Sequence, residues 1–230
     1  MAEIKEGDWI ELDFIGKVKR TGKIFDLTKE DIAKKEGIYQ DNQQYTPLKV
    51  RIGSRHLLEG LDNFLIGKKT ESKYNIDLKP EKAFGKRNPK LIQLTSLSKL
   101  KKKGVNPMPG MPLNIDGNMA TVRSISGGRV ILDFNHPLSG KELSYELWVK
   151  KKIENDEDKV KALLSFMSLP ESEYTLKKTN EEYKLKLKQN IPGIKEALEK
   201  KLKEEVPGIK LKVVTKENKN SKTSKDSKNK

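Results

Sequence analysis

The chain has 230 residues, with 48 lysines and arginines, 33 aspartates and glutamates, two histidines and no cysteine. This composition excludes disulfides, thiolate nucleophiles and cysteine-ligated zinc, and two histidines leave little for a histidine metal site. No apolar run approaches the roughly 18 residues that a membrane helix needs, and the first residues lack the basic-then-apolar order of a signal peptide. We therefore expect a soluble, cytoplasmic protein that carries no metal and no cofactor.

The net charge of +15 is concentrated in two segments. Residues 1–85 hold 16 basic and 15 acidic residues, whereas residues 86–129 hold nine basic residues and one acidic residue. The last fifteen residues, KENKNSKTSKDSKNK, hold six basic and two acidic residues and no aromatic residue. Such a segment cannot bury enough apolar surface to fold, so we predict a disordered lysine-rich tail at 216–230.

The first part of the chain reads as strands around one helix. Alternation of polar and apolar residues predicts strands at 9–18, 48–53 and 73–78. Ser54 is a candidate N-cap for a helix between the second and third strands. The apolar residues of this helix recur at helical spacing: Leu57, Leu58, Leu61, Phe64 and Leu65.

A loop in the middle of the chain carries apolar residues where a polar turn is expected. Residues 86–129 show short strands and Pro/Gly turns, and strands return in VILDF and ELSYELWV. The loop between these last two strands contains His136, Pro137 and Leu138 in a row. We expect this loop to line an apolar site.

The C-terminal part has the pattern of a second α+β unit. Helical spacing predicts helices at 156–167 and 194–206, and alternation predicts strands at 174–178, 183–188 and 210–214. Three short strands leave sheet edges with no cover visible in the sequence. We predict that this unit pairs with its copy in a homodimer.

The order of several motifs resembles the FKBP-type peptidyl-prolyl cis-trans isomerases. The motifs are DFIGK, G-x-x-FDLT, GIY followed by Y-x-P-L-x-V-x-IG, LLEGLDNFLIG, PEKAFG and NHPLSGKELSY. The resemblance covers residues 1–152 and points to the SlyD-like branch, in an archaeal long form with an added C-terminal domain. It implies an α+β fold in which an antiparallel sheet surrounds a short helix. The implied units are an isomerase domain at 1–85 and 130–152, a small β domain inserted in the flap at 86–129, and a C-terminal α+β domain at 153–215.

The implied activity is isomerisation of X-Pro bonds in unfolded or nascent polypeptides, with chaperone activity. Rotation about an X-Pro bond faces a barrier of about 18–20 kcal/mol from amide resonance, and no bond is made or broken. An apolar cleft that excludes water favours the twisted amide over the planar ground state. The sequence offers such walls and shows no credible Ser/His/Asp arrangement or phosphate-binding glycine loop.

The resemblance assigns the prolyl site by position. Phe14 and Phe84 stand where relatives usually have tyrosine, which removes two hydroxyl groups and leaves the apolar wall intact. The residues carried over are Phe14, Phe25, Asp26, Leu48, Leu57, Leu58, Leu61, Phe84, His136, Leu138 and Tyr145. Taken singly, each aromatic residue could instead belong to the core, His136 could pack its own loop, and Asp26 could cap a turn.

The inserted segment is the candidate client-binding surface. It combines methionines, which repack against varied apolar partners, with proline-rich turns that leave strand edges open to an extended peptide. The candidate residues are Leu91, Ile92, Leu94, Leu97, Met108, Met111 and Met119. The alternative is that the methionines fill the core of a small β domain, and that KLKKKG (99–104) is a solvated face.

Two other functions fit parts of the chain. The basic middle segment and tail could make the protein an RNA- or ribosome-binding adaptor, although the basic residues lack the interleaved aromatics that stack on bases. Residues 154–215 could instead serve purely as an assembly module.

Overall fold

The computed structural model describes residues 1–179, 182–189 and 193–214, so the predicted tail at 216–230 lies outside the described residues. No helix within these ranges is long and apolar enough to cross a bilayer. The strands are β1 (Trp9–Val18), β2 (Ile24–Leu27), β3 (Leu48–Arg51), β4 (Ser72–Leu78), β5 (Ile92–Ser96), β6 (Pro112–Ile115), β7 (Asn118–Ser126), β8 (Arg129–Asp133), β9 (Leu143–Lys152), β10 (Tyr174–Lys178), β11 (Tyr183–Leu187) and β12 (Leu211–Val214). The α-helices are α1 (Glu30–Lys35), α2 (Glu59–Leu65), α3 (Leu97–Lys102), α4 (Asp156–Phe166) and α5 (Ile194–Glu205).

An antiparallel five-stranded sheet forms the first unit. Its strand order is β2-β1-β9-β4, and β3 pairs with the first half of β1 on the side where β2 pairs with the second half. Alternate residues of β1 and β9 point to one face and pack against α2 in a core that includes Ile10, Leu12, Leu61, Leu65 and Leu147. The strands predicted at 9–18, 48–53 and 73–78 are confirmed.

The helix under this sheet begins later than its apolar spacing predicts. Helix α2 starts at Glu59, and Leu58 before it has extended backbone angles of φ −60° and ψ 143°. The hydroxyl of Ser54 does not cap the helix and instead accepts a hydrogen bond from the Arg51 guanidinium at 2.8 Å. Leu57 and Leu58 therefore lie in the loop before the helix, where their side chains still face the core.

A second antiparallel sheet is formed entirely by residues 92–133, which we call the inserted unit. Its strand order is β5-β8-β7-β6, and its core contains Leu100, Leu113, Val122, Val130 and Leu132. The predicted boundary at 129/130 is wrong, because β8 pairs with β5 and β7 rather than with the first sheet. Strand β8 alone reads like β9 in sequence, and only its partners show to which sheet it belongs.

Residues 153–214, which we call the C-terminal unit, contain the predicted helix-strand-strand-helix-strand order. The three strands form a sheet of order β10-β11-β12, in which β11 and β12 are parallel. Helices α4 and α5 cover one core, which contains Leu163, Leu185, Leu198 and also Trp9 of β1. The C-terminal unit is therefore packed onto the first sheet through a residue that belongs to that sheet.

Candidate active site

A cavity of about 470 Å³ lies between the first sheet, α2 and the loops at their edge. The eleven residues that the resemblance assigned to the prolyl site all line it: Phe14, Phe25, Asp26, Leu48, Leu57, Leu58, Leu61, Phe84, His136, Leu138 and Tyr145. The structure thus brings together residues that come from β1, β2, β3, α2, β9 and three loops. Their individual roles stay predictions.

Five rings form a continuous aromatic wall. Tyr145 is 6.1 Å from Phe14 and 5.8 Å from Phe25 between ring centroids, and Phe25 is 6.5 Å from Phe84. The ring of His136 lies parallel to that of Phe84 at 4.4 Å. Edge-to-face and stacked contacts of this kind favour fixed ring positions, so the wall is preformed.

Gly16 of β1 allows the wall to close. A Cβ atom at this position would lie 2.7 Å from Phe25 Cζ and 3.0 Å from Tyr145 Cε1. Real Cβ atoms do not approach ring carbons this closely, because packing in protein interiors is already dense. Any side chain at Gly16 would therefore push the two rings apart and change the shape of the cavity.

The loop of His136 and Leu138 forms the rim of the cavity. The Ser139 hydroxyl donates to the Phe84 carbonyl at 3.1 Å, and the Gly140 amide donates to the Gly85 carbonyl at 2.8 Å. The Leu138 amide donates to Nδ1 of His136 at 3.2 Å, so the imidazole is oriented by its own loop. These contacts explain the apolar residues of the loop, since Leu138 closes the side of the cavity that would otherwise face water.

Burial raises the pKa values of two ionisable groups of the cavity, Asp26 and Tyr145. Asp26 is exposed at the cavity mouth, yet burial of its carboxyl against apolar walls raises the pKa of Asp26 above its ordinary value, and the Leu27 backbone lowers it to a smaller extent. Burial and the nearby Asp26 charge raise the pKa of the Tyr145 hydroxyl well above its ordinary value. A neutral phenol and one partly desolvated carboxyl suit holding a substrate and supply no nucleophile.

Four cavity residues were missed by the sequence analysis: Leu12, Arg55, His56 and Leu147. Leu12 and Leu147 are fully buried and form the deep end, a position that alternation along β1 and β9 predicts only as core. Arg55 and His56 lie in the loop between β3 and α2. No local sequence pattern marks these two, because their placement depends on residues far away in the chain.

The candidate client-binding residues fall into two groups. Leu97 and Met111 are half-buried against the core of the inserted unit, so Met111 fits the alternative that the methionines fill this core. Ile92 is half-buried on β5. The other four are exposed on the surface: Leu91, Leu94, Met108 and Met119. By strand register, Leu94 lies beside Ile131 on the face of the sheet that points away from the core. The exposed candidate residues therefore lie on the outer side of the sheet, in the Met108 loop and, for Leu91, directly before β5.

Two family models match the chain. The model described as FKBP-type peptidyl-prolyl cis-trans isomerase matches residues 1–100. The model described as FKBP26, IF domain, matches residues 93–138, which overlap the second sheet.

Curated relatives carry the same activity in their names. The short-type peptidyl-prolyl cis-trans isomerase of Methanocaldococcus jannaschii is 33% identical over 147 residues, which are 64% of this chain and 92% of that protein. The FKBP-type 16 kDa isomerase of Escherichia coli K12 is 34% identical over 107 residues, 45% of this chain and 72% of that protein. The isomerase SlyD of Pasteurella multocida is 30% identical over 108 residues, 45% of this chain and 53% of that protein.

An antiparallel sheet that closes an aromatic cavity over a short helix, with further sheets attached, is an α+β fold of the FKBP-like kind, as predicted. The chain belongs to the FKBP-type peptidyl-prolyl cis-trans isomerase family and is an enzyme of that type. Its assignment to an archaeal long form stays a prediction. The matching family and relatives are isomerases, so they lend no support to an RNA- or ribosome-binding adaptor.

Proposed function

We propose that the chain isomerises X-Pro bonds in unfolded or nascent polypeptides, and that the inserted unit acts as a chaperone that holds the client beside the cavity. The observation that carries this proposal is that two short linkers join the aromatic cavity to a sheet whose outer surface exposes Leu94 and Met119. The cytoplasmic location stays a prediction.

The cavity suits the chemistry of a rotating amide. A planar X-Pro amide carries charge separation that water stabilises, and this stabilisation is lost as the bond twists. A proline seated among Phe25, Phe84 and Tyr145 loses that water, so the planar ground state is favoured less than in solution. Each tenfold acceleration requires a difference of only about 1.4 kcal/mol between the ground and twisted states.

The position of the inserted unit supports client holding. Its two linkers begin at the cavity rim, where hydrogen bonds join Asn88 to Asn135. The Asn88 backbone amide donates to Asn135 Oδ1 at 2.8 Å, and Asn135 Nδ2 donates to the Asn88 carbonyl at 3.0 Å. A client bound to the outer face of the inserted unit is thereby tethered near the cavity. Tethering raises the local concentration of its prolines without any change in the chemistry.

Asp26 should orient the substrate rather than react with it. We expect Asp26→Ala to lower kcat/KM on a proline tetrapeptide by about tenfold or less, which is the size of one ordinary hydrogen bond of about 0.5–1.5 kcal/mol. Asp26→Asn keeps the volume of the side chain, and its kcat/KM should lie between that of Asp26→Ala and that of the unmodified protein. A protease-coupled isomerisation assay measures both, and a loss of a thousandfold or more (about 4 kcal/mol) would assign Asp26 a part in the chemistry itself.

The predicted homodimer is a separate proposal about the C-terminal unit. Among the described residues, β10 and β12 are the edge strands of its sheet, and each pairs with β11 alone. An edge strand exposes unpaired N–H and C=O groups that a second copy can bind. Light scattering should therefore give a dimeric mass for the full-length chain, and a monomeric mass at high micromolar concentration would contradict the proposal.

A further inference from the structure

One wall of the prolyl cavity is built from a loop rather than from a helix or strand. Residues 52–58, which we call the wall loop, connect β3 to α2 and supply Leu57 and Leu58 to the cavity. The loop contains Gly53 at φ +81° and Arg55 at φ +60°. A left-handed conformation is disfavoured for a residue with a side chain, so contacts from outside the loop must hold Arg55 in place.

His56, the next residue of the wall loop, links the loop to contacts of this kind. Its side chain is fully buried, and its Nδ1 accepts a hydrogen bond from the Arg51 amide at 3.1 Å. Because Nδ1 is the acceptor, the neutral ring carries its hydrogen on Nε2. Burial lowers the pKa of His56, an effect that the Glu205 charge opposes, and the lowered pKa favours this neutral ring.

The other side of the His56 ring is bound by the C-terminal unit. Nε2 lies 2.8 Å from Oε2 of Glu205, off the line of an ideal hydrogen bond, and neither atom has another partner among the described residues. The ring of Phe166 is stacked on His56 at 3.8 Å between centroids. Nearby, the indole N–H of Trp9 donates to the Glu205 carbonyl at 3.3 Å.

We infer that the C-terminal unit positions the wall loop of the prolyl cavity through His56, by means of Phe166 and Glu205. His56 also lines the cavity, but both of its ring nitrogens are engaged by Arg51 and Glu205, so we assign it as a positioning residue that acts on the substrate through Leu57 and Leu58. The C-terminal unit is thus a working part of the isomerase site, in addition to any role in assembly.

Loss of the contact between His56 and the C-terminal unit should change KM and not kcat. If the loop is released, only a fraction of the molecules present a complete wall at any time, and the apparent affinity for substrate falls in proportion to that fraction. Molecules with the wall formed still turn over at the normal rate. Loss of the contact should therefore raise KM and leave kcat nearly unchanged.

The test uses the full-length chain and a proline tetrapeptide. We expect Phe166→Leu and Glu205→Leu each to raise KM about three- to tenfold, with kcat within about twofold of normal. Glu205→Gln keeps an oxygen facing Nε2 and should stay near the normal KM. Glu204→Leu is the matched control, since Glu204 is the exposed neighbour of Glu205 on α5 and should leave KM unchanged.

Thermal unfolding of each variant shows whether it is folded. If Glu205→Leu does not fold, Phe166→Leu decides, because it keeps a large apolar side chain and removes only the stacked ring. Folded variants with a normal KM would overturn the inference, as would a KM that rises equally in Glu204→Leu. The inference rests on the isomerase function, and NMR shifts of the Leu57 and Leu58 amides report the state of the wall even if turnover is absent.

Discussion

Removal of the inserted unit should lower catalysis of proline-limited refolding by about two orders of magnitude, which corresponds to roughly 3 kcal/mol of lost client binding. Isomerisation of a tetrapeptide should stay within a few-fold of normal, because a short peptide needs only the cavity. Suppression of aggregation should fall together with refolding catalysis. The excision removes residues 89–134 and joins Asn88 to Asn135 through a short glycine-containing turn.

The structure makes this excision cleaner than one based on the predicted boundary. A cut at residues 86–129 would leave most of β8 behind without its partners β5 and β7, and would remove Arg87, which pairs with the buried Asp133. Asn88 and Asn135 already contact each other, so a short turn can span the gap. Equal loss of tetrapeptide turnover and refolding catalysis would mean that the inserted unit supports the fold of the cavity and does not hold clients.

A pair of surface variants of the intact chain separates apolar from electrostatic holding. Leu94→Ser with Met119→Ser removes two exposed apolar side chains, whereas glutamine at Lys101, Lys102 and Lys103 removes three charges from the same unit. The apolar variant should lose more refolding activity, because exposed ionic contacts are each worth less than about 1 kcal/mol. The opposite order would show that charge holds the client.

Phe84→Ala should lower kcat/KM on a proline tetrapeptide by about tenfold or more. This corresponds to a loss of at least roughly 1.4 kcal/mol of transition-state stabilisation. Phe84 is half-buried between the ring of Phe25 and the parallel ring of His136, so its removal opens the aromatic wall to water. Water in the cavity restores solvation of the planar amide, and the preference for the twisted state is lost.

The matched control for this variant is Phe64→Ala. Phe64 is also half-buried, contacts the ring of Tyr74 at 6.1 Å and does not line the cavity. Both truncations should lower the midpoint of thermal unfolding, because both remove buried aromatic surface. Only Phe84→Ala should lower turnover, and similar losses in the two variants would mean that the cavity has been assigned wrongly.

The part that Tyr145 plays in the cavity is better tested by a substitution that keeps its ring. This residue is 4% exposed in the core of the first unit, so Tyr145→Ala would cost about 3–5 kcal/mol of stability and confuse folding with catalysis. Tyr145→Phe removes only the hydroxyl and keeps the wall.

Most residues that line the cavity could be predicted from the sequence, because they lie in local motifs that follow one another in a fixed order. Strand alternation placed β1 and β9, and the motifs of the family placed the eleven lining residues on those elements and their loops. The elements of the C-terminal unit were likewise predicted from periodicity within a residue or two at each end. In these cases the relevant information lies within a short stretch of chain.

The errors arose where the answer depends on distant partners. Strand β8 has the same alternation in either sheet, and only its pairing with β5 and β7 assigns it to the inserted unit. The first turn of the helix was misplaced because the wall loop is held by His56 and not by a Ser54 cap. His56 itself was missed, since its contacts with Phe166 and Glu205 join residues more than a hundred positions apart.

The cavity should accelerate the rotation of X-Pro bonds. NMR exchange spectroscopy of an Ala-Pro peptide with a small fraction of the full-length chain measures this rotation directly, against uncatalysed exchange that takes about 10–100 s. We expect clear exchange between the cis and trans signals, which should persist when residues 89–134 are excised and fall about tenfold or more in Phe84→Ala. No exchange above the uncatalysed rate, or equal exchange with Phe84→Ala, would contradict this expectation.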